Sequence, residues 1–181
     1  MNNARVAVTG LLAAAAVTLA GTSMAAASTV AQPFGAAAEA ANHAPKPHLT
    51  PLAVEWAAAW NSSDPRNLAG LFVQDGSRYT DHAFDRTYTG SAGVAQWVTD
   101  TKSAIPNAKI TLTGAIGFGD SQLIFWNFSG QATGAPHSFS VPAVTVIKLR
   151  GGKILTNDDY YSKAEVNRQS GLPESGLPSG S

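Results

Sequence analysis

The spacing of apolar positions along the chain changes period once. Between residues 49 and 103 apolar side chains recur every three or four positions, and from 109 to 161 they alternate in twos. Thr50 is placed to cap a helix that Pro51 begins, with Leu52, Ala53, Trp56, Ala57 and Trp60 along one side, predicting a helix over 49–60. Asp64-Pro65 repeats that start signal, and Leu68, Leu71 and Phe72 predict a short helix over 65–72. Residues 77–82 form a short strand with Tyr79 and Asp81 on one face and Arg78 and Thr80 on the other. The polar stretch 83–90 reads as a loop. Ser91 then caps a third helix over 91–103 carrying Val94, Trp97 and Val98, which must stop before Pro106.

Four strands follow, over 109–118, 123–132, 137–150 and 153–161. The last two flank Gly151-Gly152, which supplies the positive φ angles of a two-residue hairpin turn. Counted from that turn, Leu149 faces Ile154, Ile147 faces Thr156, Thr145 faces Asp158 and Val144 faces Asp159. One face of this hairpin is then apolar near the turn and reaches an acid further in, as a ligand pocket or catalytic site requires. Gly114, Gly117, Gly130 and Pro142 inside the strands imply bulges or bends that let a sheet curl. The expected fold is α+β: a curled antiparallel sheet, or cone, closed by three N-terminal helices. Val144 and Val146 face away from the Ile147 stripe, so the outer face is expected to form a homodimer contact.

Composition narrows the function classes. The 181 residues carry 12 basic and 12 acidic side chains with no dense Lys/Arg block, so nucleic acid is not an expected partner. Lys148, Arg150 and Lys153 form the solvated hairpin tip. Cysteine is absent, which excludes disulfides and thiolate chemistry. His82 and His137 lack metal-ligand spacing, so no metal site is expected. Neither a phosphate loop nor a nucleophile elbow occurs, and no cofactor is expected.

The chain ends differ from its centre. Residues 1–27 combine a short basic start, the apolar run 6–20 and Ala25-Ala26-Ala27, the pattern of a cleavable secretory signal peptide. That run is shorter than the roughly 20 apolar residues a membrane-spanning helix needs, so a secreted product without a stable membrane anchor is expected. Residues 28–48 read as a flexible linker, 49–170 as the folded domain and 171–181 as a disordered tail.

Three stretches carry a family resemblance: Trp56 to Asp81, Gly90 opening the third helix, and Gly152-Lys153-Ile154 through Asp-Asp-Tyr-Tyr. In order and spacing they resemble the SnoaL-like branch of the nuclear transport factor 2-like superfamily, which includes polyketide cyclases, ketosteroid isomerases, epoxide hydrolases and pocket proteins. The resemblance implies that Asp81 lies where isomerase-like members carry a general base. It also implies that Asp158 or Asp159 lies where cyclase-like members carry an acid. Hairpin counting favours Asp158 and the family motif favours Asp159; a single bulge reconciles them. The oxyanion-holding tyrosine and acid of the isomerases are replaced by Trp56 and by Val144 or Thr145, which disfavours steroid isomerisation.

Two function classes follow. One is an exported domain whose pocket binds a small apolar or polyketide-like molecule through Trp56, Tyr79, Trp97, Phe128 and Tyr160. The other is a cyclase, isomerase or hydrolase with Asp81 or Asp159 as general acid/base and Tyr79 or Tyr160 as donor. Each candidate also has a plain structural role: Asp81 as the cap of a strand corner, Asp158 or Asp159 as a solvated strand end, and the aromatic residues as core. An enzyme requires both acids to be buried and convergent on one cavity, whereas a binder requires only the cavity.

Overall fold

A computed structural model describes residues 48–174. The expected signal peptide and most of the linker and tail lie outside the described residues. The elements are α1 (Pro51–Asn61), α2 (Pro65–Ala69), β1 (Arg78–Asp81), β2 (Arg86–Thr89), α3 (Gly90–Ala104), β3 (Lys109–Phe118), β4 (Ser121–Gly130), β5 (Phe139–Arg150), β6 (Lys153–Tyr161) and α4 (Lys163–Ser170). Among the described residues, no helix is long and apolar enough to cross a membrane.

Local chemistry explains the first helices. Thr50 Oγ1 accepts from the Ala53 N–H at 3.2 Å ahead of Pro51, and Asp64 accepts from the Arg66 N–H ahead of Pro65. The Asn61 side chain then ties α1 to β3, donating to the Ile110 carbonyl and accepting from its N–H at 2.8 and 2.9 Å. α3 starts one residue earlier than expected, with Thr89 rather than Ser91 at its N-cap and no side-chain cap bond.

The strands form one sheet in the order β2-β1-β6-β5-β4-β3, with both edges open. The pairings from β3 to β6 are antiparallel, as expected. β1, however, lies parallel to β6, so the sheet is mixed, and the expectation of a wholly antiparallel sheet is corrected. The polar stretch read as a loop contains β2, an edge strand whose residues bury no face. α4 is a fourth helix beyond the three expected, capped by Ser162 and closed by left-handed Gly171.

The hairpin turn adopts the anticipated geometry, with Gly151 and Gly152 at φ 59° and 77°. Its register departs from simple counting after one pair. Leu149 faces Ile154, but Lys148 faces Thr156, leaving Leu155 as an extra, bulged residue. Beyond it Ile147 pairs with Asn157 and Thr145 with Asp159, so the expected pairings of Ile147 with Thr156 and Thr145 with Asp158 are displaced by one. A second bulge falls between Leu112 and Gly114 of β3. Inward-facing Ile124, Trp126, Phe128, Val141 and Ile147 pack with Ala53, Trp56, Val94 and Val98 of the helices into one core.

Candidate acid-pair site and aromatic cleft

The parallel pairing of β1 with β6 creates the site. It sets Asp81 directly beside Asp159, so two carboxyl groups share the inner face of adjacent strands. Both are almost wholly buried, at 1% and 2% exposure. Among the described residues no Lys, Arg or His forms an ion pair with either.

Asp159 is the better organised of the two. Its Oδ1 accepts from the Thr145 hydroxyl at 2.6 Å and from the Asn157 amide at 2.7 Å, while Oδ2 accepts from the Tyr79 hydroxyl. Each donor is oriented by an indole. Trp126 Nε1 donates to Thr145 Oγ1 at 2.8 Å, Trp60 Nε1 to Tyr79 Oη at 3.1 Å, and Trp56 Nε1 to Asn157 Oδ1 at 3.0 Å. An indole N–H can only donate, so these contacts turn the two hydroxyl protons and the Asn157 amide toward Asp159. A carboxylate offers about four lone-pair sites, and three donors leave one on Oδ2.

Burial pushes the Asp159 carboxyl up to about 7; Thr145, Tyr79 and Asn157 oppose that rise and neighbouring Asp81 adds to it. Asp81 is also raised by burial, against the Tyr161 hydroxyl and the Phe84 N–H that donate to it at 2.5 and 2.9 Å. The Phe84 contact makes Asp81 a corner cap as well as a chamber acid. Burial raises Tyr79 and Tyr161 well above the ordinary phenol value, each also next to its acid, so both remain protonated donors.

The acids face a small chamber lined by Trp60, Trp97, Trp126, Phe128 and Tyr161, with about 10 Å³ free, room for about one water. Outside it, between α3 and the β1–β2 corner, lies a cleft of about 320 Å³ bordered by Phe84, Arg86, Tyr88 and Ile105. Trp97, Thr101, Phe128 and Tyr161 line both spaces.

The sequence candidates divide accordingly. Asp81 and Asp159 come together at the chamber, and Trp97 and Phe128 form its shared wall. Tyr79 is buried behind Asp159, and Trp56 packs edge-on to Trp126 at 5.6 Å in the core, so neither lines a cavity. Asp158 is corrected: the bulge turns it to the opposite face, 3.0 Å from His82 and 3.6 Å from Arg78. Tyr160 is corrected for the same reason of alternation, stacking on His82 at 4.3 Å on that outer face. Residues the sequence reading passed over include Tyr161, which lines both cavities, and Thr101. Tyr161 could have been found by alternation, since it shares a face with Asp159 two positions earlier. Among the described residues no group of three or more His, Cys, Asp or Glu side chains gathers to hold a metal.

The SnoaL-like domain model matches residues 53–157, which include β1 with Asp81 and all of α3 and end within β6 two residues before Asp159. A crystal structure of a protein with a ketosteroid isomerase-like fold from Catenulispora acidiphila DSM 44928, in complex with trimethylamine, is 40% identical. It covers 72% of this chain and all of that one, with a TM-score of 0.68. A nuclear transport factor 2-like protein from Burkholderia thailandensis E264 is 18% identical, covering 66% of this chain and 94% of that one, with a TM-score of 0.59. TerC co-crystallised with polyporic acid is 14% identical, covering 65% and 94%, at a TM-score of 0.57. The latter two share the fold alone. No curated protein matches the chain.

Proposed function

The chain belongs to the SnoaL-like domain family, and we propose that it binds a small, largely apolar molecule in the α3 cleft, with the acid pair as the polar end of the site. The observation that carries this reading is the wall shared between an aromatic cleft and a chamber holding two buried carboxyls without a cationic partner. A cleft of about 320 Å³ is at the small end of ligand sites, which run from roughly 300 to 1,000 Å³. Uncompensated carboxylates in an apolar setting are costly, and a ligand that brings positive charge relieves that cost. Trp97, Phe128 and Tyr161 line the cleft, and an aromatic lining favours a cation through cation–π attraction. A compact alkylammonium group combines both properties, and the relative from Catenulispora acidiphila was crystallised with trimethylamine. The chamber accepts only about one water, so such a group would stand at the shared wall, facing the acids past Tyr161.

Calorimetric titration with trimethylammonium and with neutral tert-butanol at pH 8 tests this reading. The cation is expected to bind about tenfold more tightly or better, a preference that shrinks in both Asp81→Asn and Asp159→Asn. Equal affinity for the two probes in the wild type would sink it.

A second reading, proton transfer, is favoured by one observation: an Asp159 carboxyl held near 7 with a lone pair free toward the chamber. If the domain turns over a carbonyl compound with an acidic C–H, Asp159→Asn lowers the rate by about 10² to 10⁴ and removes a step near pH 7 from the rate profile. An unchanged profile argues against it. We further propose that residues 1–27 are a removable secretory leader and that the outer sheet face meets a second copy. Amino-terminal sequencing of protein from the culture medium tests the leader; an intact Met1 overturns it.

A further inference from the structure

Four tryptophans occur in the chain, and three of them spend their indole N–H on the Asp159 network. Trp97 does not. Its Nε1 is buried without a partner, and so is the hydroxyl of Thr101; among the described residues only Ser170 Oγ shares that condition. Trp97 and Thr101 are four residues apart on α3, one turn along the same helix face. Both line the cleft and the chamber, at the wall the two spaces share. Thr101 is 7% exposed, and its hydroxyl, like the Trp97 N–H, is closed off from solvent within the wall that the two spaces share.

The other hydroxyls of α3 show that this is not the helix's default. Thr99 Oγ1 donates to the Ala95 carbonyl and Ser103 Oγ to the Thr99 carbonyl, each folding back by four residues at 2.9 Å. Thr101, between them, makes no such bond to Trp97. Two buried donors without partners on a cavity wall are destabilising unless something outside the chain satisfies them.

We propose that Trp97 Nε1 and Thr101 Oγ1 form a subsite for a carbonyl-type oxygen of the bound molecule. A carbonyl oxygen has two lone pairs, one for each donor, whereas an ammonium group meets an N–H here and is turned away. The pair thus distinguishes the ligand's two ends: acceptor oxygen against α3, positive or apolar end toward the acids and rings. This assignment rests on the cleft being the ligand site.

The test uses ¹⁵N-labelled protein titrated with cyclohexanone and with methylenecyclohexane, which keeps the ring and replaces oxygen by CH₂. The Trp97 indole resonance is assigned by its disappearance in Trp97→Phe. Cyclohexanone is expected to displace that resonance and bind about tenfold more tightly than the hydrocarbon, a preference lost in Trp97→Phe and in Thr101→Val. Thr101→Val should also raise the Tm, because it removes an unsatisfied buried hydroxyl at nearly constant shape. If both probes bind equally and the Trp97 resonance stays in place, the subsite is wrong while the cleft stands. If neither binds, the subsite falls, and the trimethylammonium titration decides the cleft on its own. A lower Tm for Thr101→Val would mean that the hydroxyl is satisfied within the protein, and overturns the assignment independently.

Discussion

Asp158 and Asp159 are chain neighbours of identical chemistry on opposite faces of β6. Asp158 projects outward to His82 and Arg78, whose side chains are 40% and 51% exposed, where water and salt screen the pairs. Asp159 projects inward to three donors held by three indoles. One pleat, about the smallest displacement a strand allows, separates an ordinary surface ion pair from a buried carboxyl held near neutrality. Position on the sheet, rather than residue type, sets what a carboxyl group can do.

Leucine at position 159 should break that contrast most severely. It strands the Tyr79 and Thr145 hydroxyls and the Asn157 amide, at about 1–3 kcal/mol each, partly offset by removal of a buried charge. A net loss of roughly 3–5 kcal/mol in urea unfolding is expected for Asp159→Leu, against about 1 kcal/mol or less for Asp158→Ala. Equal losses would show that the network is not what stabilises the inner face.

The pH dependence of stability sharpens the same contrast at a smaller magnitude. Burial pushes the Asp159 carboxyl in the folded protein up to about 7 from the ordinary aspartate value of 3.8 that holds in the unfolded chain, so between these values the folded state holds more protons than the unfolded one. Stability contributed by this group is therefore fully present below about pH 4 and declines as pH rises toward 7, the reverse of a salt-bridged aspartate. The Asp159→Asn variant should flatten that slope, worth of the order of 2–4 kcal/mol, while Asp158→Asn leaves it in place. A Tm that climbs steadily from pH 4 to 7 in the wild type, with the same climb in Asp159→Asn, would contradict the assignment.

What was legible in the chain was what is local. Thr50-Pro51 and Asp64-Pro65 announce helix starts, Gly151-Gly152 announces a turn, and the runs of β-branched and apolar residues mark the ends of β3 and β6 to the residue. The inner position of Asp159 was open because one bulged residue, Leu155, inverts every face beyond it, and a bulge has no strong local signature. β2 escaped because an edge strand with no buried face has no apolar period to detect. The fourth helix did carry a signal, the capping box of Ser162 with Glu165 three residues on, where the Ser162 hydroxyl accepts the Glu165 N–H at 3.1 Å. The meeting of Asp81 with Asp159 depends on parallel pairing between strands some 78 positions apart, which no window of sequence contains.

The outer face supplies the mildest test, and one that concerns association rather than folding. Phe125 pairs across to Val144, and Val144 to Tyr160, in one row; Ile116, Leu123 and Val146 form the next. Ile116, Phe125 and Tyr160 are exposed, at 53%, 36% and 43%, so this face carries an apolar patch bordered by the Arg78–Asp158 pair on one side and the hairpin tip on another. Patches of this kind on a sheet are generally covered by another protein surface, and a second copy of the same chain is the simplest cover. The Phe125→Lys substitution puts a charge in the middle of the row while leaving the inner face untouched, so unfolding free energy should change by about 0.5 kcal/mol or less at equal dimer occupancy. Sedimentation of the wild type should show a dimer that Phe125→Lys converts to monomer, with trimethylammonium affinity unchanged because the cleft lies on the other side of the sheet. A wild-type protein that sediments as a monomer at high concentration removes the second copy from the outer face and leaves the acid pair and its cleft as they are.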